Sequence, residues 1–174
     1  MHTAQTSEAS SIGVTHIWTR INPKWIISGL FAGLAAGVVI MLIGMKLSQS
    51  HLGESIQFFK WIGASFFGPD TTTLGADLGR AGRAGIVIHF TLSAIYGLVF
   101  AQLVHEKSKT LPLIILGLAT SFVIWVFAGQ LFMPSFNRDL SFLMPTYLKL
   151  FLHLGFGFSV GFFISIFRGI LGVK

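Results

Sequence analysis

Four long apolar runs constrain this chain more than any other feature. They cover residues 25–45, 84–104, 111–133 and 146–167. Each has about the 20 residues that a helix needs to cross a hydrocarbon core of roughly 30 Å. The expected fold class is therefore all-α: a polytopic membrane protein with four transmembrane helices. Composition agrees. Only 10% of the residues are charged, against about 25% in an ordinary soluble domain. Residues 1–24 read as a polar N-terminal tail and 25–174 as one transmembrane domain. The tail reads as retained and cytoplasmic, because the apolar run behind it is longer than the roughly 7–15 residues of a signal-peptide core. Trp18, Arg20, Lys24 and Trp25 at its end have the basic and aromatic character of a membrane anchor.

The connections differ in kind. Residues 105–110 form a short turn between the second and third runs, and 135–144 a brief loop carrying Arg138 and Asp139. The first connection is longer. Within it, Ile56, Phe59, Ile62 and Phe66 recur at helical spacing over 55–67, with Gln57 and Lys60 between them. That segment is too short to span, so the spacing predicts an amphipathic helix in the interface plane. The Gly- and Thr-rich remainder, 68–83, reads as a loop.

The net charge of +6 is spread over helix ends without a basic run. It suits anionic lipid headgroups and offers no nucleic-acid surface. The basic residues divide six against six between the two sides: Arg20, Lys24, Lys107, Lys109, Arg168 and Lys174 against Lys46, Lys60, Arg80, Arg83, Arg138 and Lys149. The compact Lys107/Lys109 turn and the basic C-terminus favour cytoplasmic termini. The chain has no cysteine, which removes disulfides, thiolate metal sites and cysteine catalysis.

Inside the runs, small residues recur at every fourth position. Gly29, Gly33 and Gly37 do so in the first. Glycine in a helix interior costs about 1 kcal/mol relative to alanine, but a bare groove lets a second helix backbone approach closely in a bilayer. An ungapped alignment sets Gly33-Leu-Ala-Ala-Gly-Val-Val-Ile on Gly117-Leu-Ala-Thr-Ser-Phe-Val-Ile, so Ser121 corresponds to Gly37. His89 precedes Gly97 by eight residues, as His153 precedes Gly161. The pattern predicts two parallel helix-hairpin repeats, with the first and third spans meeting through their small faces near a pseudo-two-fold axis. The stripes His89, Ser93, Gly97, Ala101 and His153, Gly157, Gly161 should face protein.

Ionisable groups at membrane depth are functional candidates. His89 and His153 fall at nearly one depth on parallel helices. Two imidazoles so placed could ligate one haem b iron or serve a quinone, a lipid or a proton. Alternatively, each donates a hydrogen bond to a neighbouring helix, to Thr120, Ser121, Tyr96 or a backbone carbonyl, or faces the ring of Trp125. Lys149 reads as snorkelling to the headgroups. No carboxylate lies inside a span, which disfavours a dinuclear metal site. No GxSxG, HExxH or phosphate-loop pattern is present. Asp70, Asp77 and Asp139 fall in loops with His51 and read as solvated carboxylates.

The order of these features is a Gly/Ala-rich first helix with Met41, then His89-Phe90 and Tyr96-Gly97, Leu111-Pro112 and Gly117, Met133-Pro134, and finally His153-Leu-Gly-Phe-Gly with Gly161. In this the chain resembles the small bacterial inner-membrane proteins of uncharacterised function typified by YagU. The resemblance covers roughly residues 29–167 and leaves out the tail and segment 55–67. It implies the fold and the bacterial inner membrane, and transfers no catalytic residue. The leading expectation is a non-catalytic accessory or structural subunit that binds membrane lipids and associates with other integral subunits or with itself. Two alternatives stay open: a haem- or quinone-associated electron-transfer subunit using His89 and His153, and a small-solute channel or carrier.

Overall fold

A computed structural model of the chain describes residues 22–68, 72, 77–132 and 145–173. Tail residues 1–21 and loop 135–144, with Asp70 and Asp139, lie outside the described residues. Helix α1 is Pro23–Leu52, α2 Gln57–Phe67, α3 Gly79–Leu103, α4 Thr110–Ile124 and α5 Thr146–Ile170; α4 runs on into a π-helical segment, Trp125–Phe132. Four helices are long and apolar enough to cross a membrane: α1, α3, α4 with its π extension, and α5. The chain is a multi-pass membrane protein, as its composition requires.

The helix ends follow from local chemistry. Asn22 caps α1, its side-chain oxygen accepting from the Lys24 backbone N–H, and Pro23 takes the first turn, where its missing N–H is no loss. Gly53 ends α1 in the left-handed conformation at φ 76°, and its N–H closes onto the Gln49 carbonyl. The helix thus continues seven residues beyond the expected span end at 45 and carries Lys46 with it.

The glycine stripes locate the tight contacts. A Cβ on Gly29 would fall 2.5 Å from the Gly97 carbonyl oxygen, one on Gly33 2.9 Å from the Gly97 Cα, and one on Gly37 2.7 Å from Ser93 Oγ. So α1 and α3 pack antiparallel, backbone against backbone. In the second half, a Cβ on Gly161 would fall 2.5 Å from the Leu113 carbonyl oxygen and one on Gly157 2.5 Å from Ser121 Oγ; one on Gly117 would overlap the Gly157 carbonyl. So α4 and α5 pack antiparallel in the same way. This corrects the expectation that the first and third spans meet through their small faces. The faces of Gly29, Gly33, Gly37 and Gly97, and of Gly117, Gly157 and Gly161, are each occupied by the other helix of their own hairpin. The extensive backbone contact between halves is α1 with α5, through larger side chains such as Phe31 against Phe167, ring centroids 5.7 Å apart.

Helix α2 lies within the 55–67 segment and packs against α3. A Cβ on Gly63 would overlap the Ala81 carbonyl, and one on Gly85 the Phe59 carbonyl. The register is antiparallel to the first turns of α3. Phe58 and Phe59 are buried against Ile40 and Leu152, and a Cβ on Gly44 of α1 would strike the Phe58 ring. At one end of the bundle, Trp25 Nε1–H donates to the Ala101 carbonyl at 2.7 Å. The Asn22 amide donates to Glu106 at 2.6 Å, and Arg168 donates to the carbonyls of Glu106 and Ser108 at 2.7 and 2.6 Å. These bonds tie the α3–α4 turn to α1 and α5.

Candidate functional site

The polar groups inside the spans gather at three places. The first is His89. Along α3 the small face serves α2 up to Gly85 and α1 from Ser93 onward, and His89 stands at the crossover. Its Nε2 lies 2.9 Å from the Gly37 carbonyl of α1. A carbonyl only accepts, so Nε2 carries the proton and Nδ1 is the free lone pair. Phe58, Phe59 and Phe90 meet the ring edge-to-face at centroid distances of 5.6, 6.2 and 5.1 Å. The imidazole thereby pins α1 to α3 and supplies a surface for α2.

The second is Tyr96. Its hydroxyl bonds Thr120 Oγ1 at 2.5 Å and Ser121 Oγ at 3.0 Å, with the Gly117 carbonyl at 3.3 Å. Its ring meets Phe156 at 4.9 Å and stacks on Phe100 at 6.2 Å. This aromatic group bridges α3 to α4, two helices joined by a short turn but without extensive backbone contact.

The third lies beyond the α4–α5 seam. His153 turns back on its own helix, and its Nδ1–H donates to the Lys149 carbonyl at 2.7 Å. Its Nε2 is the free lone pair and makes no hydrogen bond among the described residues. The register sets His153 across from Ser121, and one turn further along the π-helical segment begins. There Trp125 Nε1 and Gln130 Nε2 are buried and have no hydrogen-bond partner.

These placements bear on the predicted residues one by one. Gly29, Gly33, Gly37 and Gly97 lie in the α1–α3 seam, and Gly117, Ser121, Gly157 and Gly161 in the α4–α5 seam. His89 and His153 share no recorded contact and hold opposite tautomers. An axial haem ligand needs an unprotonated ring nitrogen directed at the iron. His153 offers Nε2 for that. His89 has spent Nε2 on Gly37 and keeps only Nδ1, the nitrogen next to its own Cβ, with three phenylalanines around the ring. The pair does not fit a shared haem. Among the described residues no group of three His, Cys, Asp or Glu side chains could hold a metal ion. Sequence reasoning named Trp125 only as a ring face for a histidine and did not single out Gln130. The signal for Gln130 was available: it is the one amide inside the third apolar run.

Fold and site together define a class: a multi-pass helical membrane protein whose hairpins are closed by small-residue seams. No family model, curated protein or solved structure matches the chain.

Proposed function

We propose that this protein is a non-catalytic integral membrane subunit, built as two parallel hairpin repeats and embedded in the bacterial inner membrane with both termini cytoplasmic. The observation that carries this reading is how its in-span polar groups are used. His89 and Tyr96 both bond across to another helix, and the glycine faces are consumed in packing within the chain. What remains outward is broad and apolar, including Leu42, Val87, Leu92, Leu111, Phe127 and Phe151. Such a body suits lipid and neighbouring membrane helices as partners. Association runs through large apolar side chains, since the close-approach faces are already filled.

The repeat reading is supported by matching contacts. Gly29 on Gly97 corresponds to Leu113 on Gly161, Gly33 on Gly97 to Gly117 on Gly161, and Gly37 on Ser93 to Ser121 on Gly157. In the last pair the serine has changed helix while the small-on-small contact persists. Kinship with YagU-like proteins rests on the motif order alone. Gentle detergent purification, with mass analysis of the co-purifying chains, tests the subunit reading. Stoichiometric recovery of another integral protein, or of a defined homo-oligomer, is the expected result. A lone protomer that carries solute flux in liposomes contradicts it.

A further inference from the structure

Among the described residues, the π-helical segment is the one place in the spans where buried hydrogen-bond donors go unused. Trp125 and Gln130 are five residues apart, the separation of one π turn, so they project on one face. Between them Gly129 leaves a gap. A Cβ there would sit 3.4 Å from Trp125 Cδ1 and 3.8 Å from Trp125 Nε1, so the missing side chain opens space along the pyrrole edge of the indole. Both Trp125 Nε1 and Gln130 Nε2 are buried without a partner. A buried amide or indole N–H left unpaired costs about 1–3 kcal/mol, and in hydrocarbon no bulk water offsets it. Long π segments are uncommon and mark functional positions when they occur.

We propose that this turn binds the carbonyl oxygen of a neutral, membrane-partitioned molecule, accepted jointly by Trp125 Nε1–H and Gln130 Nε2–H. Burying an anion at membrane depth is costly, which favours a neutral acceptor for the two donors. The antiparallel register that sets Gly117 on Gly157 brings His153 level with Ser121, one turn before Trp125, and α5 packs against the π segment. The neighbouring Phe127 and Leu131 are exposed and keep the approach apolar. The carbonyl can be supplied by a benzoquinone or by a lipid ester. This site is separate from the subunit role and does not rest on it.

The test uses full-length protein labelled with 5-fluorotryptophan. Its four tryptophans, Trp18, Trp25, Trp61 and Trp125, give separate fluorine resonances, and Trp125→Phe assigns the one in question. Decyl-ubiquinone is titrated into the protein in nanodiscs made from ether-linked phospholipid, which has no ester carbonyl. A parallel sample uses ester-linked phospholipid without quinone. The expected result is a saturable shift of the Trp125 resonance in one arm, with Trp25 unmoved. Gly129→Val, which fills the gap, and Gln130→Leu, which removes the second donor, should each weaken that response at least tenfold. The Trp25 resonance reports whether each variant has kept its fold. A quinone-only response assigns a quinone-type ligand, and an ester-only response assigns lipid. No response in either arm, a shift shared by all four tryptophans, or an undiminished response in both variants overturns the proposal.

Discussion

The two hairpins use one seam and finish it differently. In the first, α1 and α3 close on Gly29, Gly33, Gly37, Ser93 and Gly97. The seam ends at His89, whose proton goes to α1 and whose ring is walled by Phe58 and Phe59 of α2. In the second, α4 and α5 close on Gly117, Ser121, Gly157 and Gly161. The seam ends at His153, which among the described residues bonds its own helix, and α4 runs on into a π segment with two orphaned donors. Two small-residue seams therefore support one finished corner and one open corner. The scaffold accounts for the likeness, and α2 on one side and the π segment on the other account for the difference.

The largest expected effect falls on the shared part. A leucine at Gly97 or at Gly161 must force two backbones apart, since even a Cβ at Gly161 reaches 2.5 Å from the Leu113 carbonyl. Overpacking costs about 1–3 kcal/mol, occasionally more, and no flexible side chain is available to yield. Gly97→Leu and Gly161→Leu should each destabilise by about 3 kcal/mol, and by similar amounts, in reversible unfolding from mixed micelles. A large loss at one position with indifference at the other would break the equivalence of the hairpins.

The histidines should separate the hairpins. Interhelical hydrogen bonds in membranes are worth about 0.6 kcal/mol on average, up to about 1.7, and edge-to-face ring contacts add about 0.5–1.5. His89 has one such bond and three such contacts. His89→Ala should cost about 2 kcal/mol, and His153→Ala less than half of that, in the same assay. Neither should change an optical spectrum, because the pair does not fit a shared haem. Equal losses would mean that the second corner is as finished as the first. A smaller effect is expected at Tyr96, whose hydroxyl joins the hairpins through Thr120 and Ser121. Tyr96→Phe keeps the contacts to Phe100 and Phe156 and should cost about 0.6 kcal/mol, with no change in overall helicity by circular dichroism.

Much of this was legible from residue type and spacing, because a bilayer allows few choices. Long apolar runs must be helices with all backbone groups paired internally, and residues that repeat every fourth position share a face. Hence the spans, and the involvement of Gly33, Gly97, Gly117 and Gly161 in helix contacts, could be read directly. The partner of each face could not. Four helices carry small stripes, and any stripe fits any other sterically. The short turn 105–110 invites close packing of α3 with α4, yet α3 has already given its small face to α1, and the hydrogen bonds across come from the Tyr96 side chain. The docking of α2 along α3 turns on Gly63 and Gly85, which spacing arguments built on Ile56, Phe59, Ile62 and Phe66 do not weigh. The π segment was illegible for another reason. Nothing in Trp125–Phe132 departs from ordinary apolar helix composition, and the change of pitch shows only in which hydrogen bonds form.

The central claim, that each glycine face closes its own hairpin, can be tested directly because the chain has no cysteine of its own. Three double-cysteine variants decide it: Gly37→Cys with Ser93→Cys, Ser121→Cys with Gly157→Cys, and Gly33→Cys with Gly117→Cys. A Cβ at 37 falls 2.9 Å from Ser93 Cβ, so a disulfide, with its Cβ atoms about 3.8 Å apart, asks for only about an ångström of relaxation. Oxidation in native membranes should cross-link the first two pairs nearly completely within one protomer and leave the third free. Cross-linking of the 33/117 pair, with the other two unreacted, would place the first and third spans face to face and contradict the account.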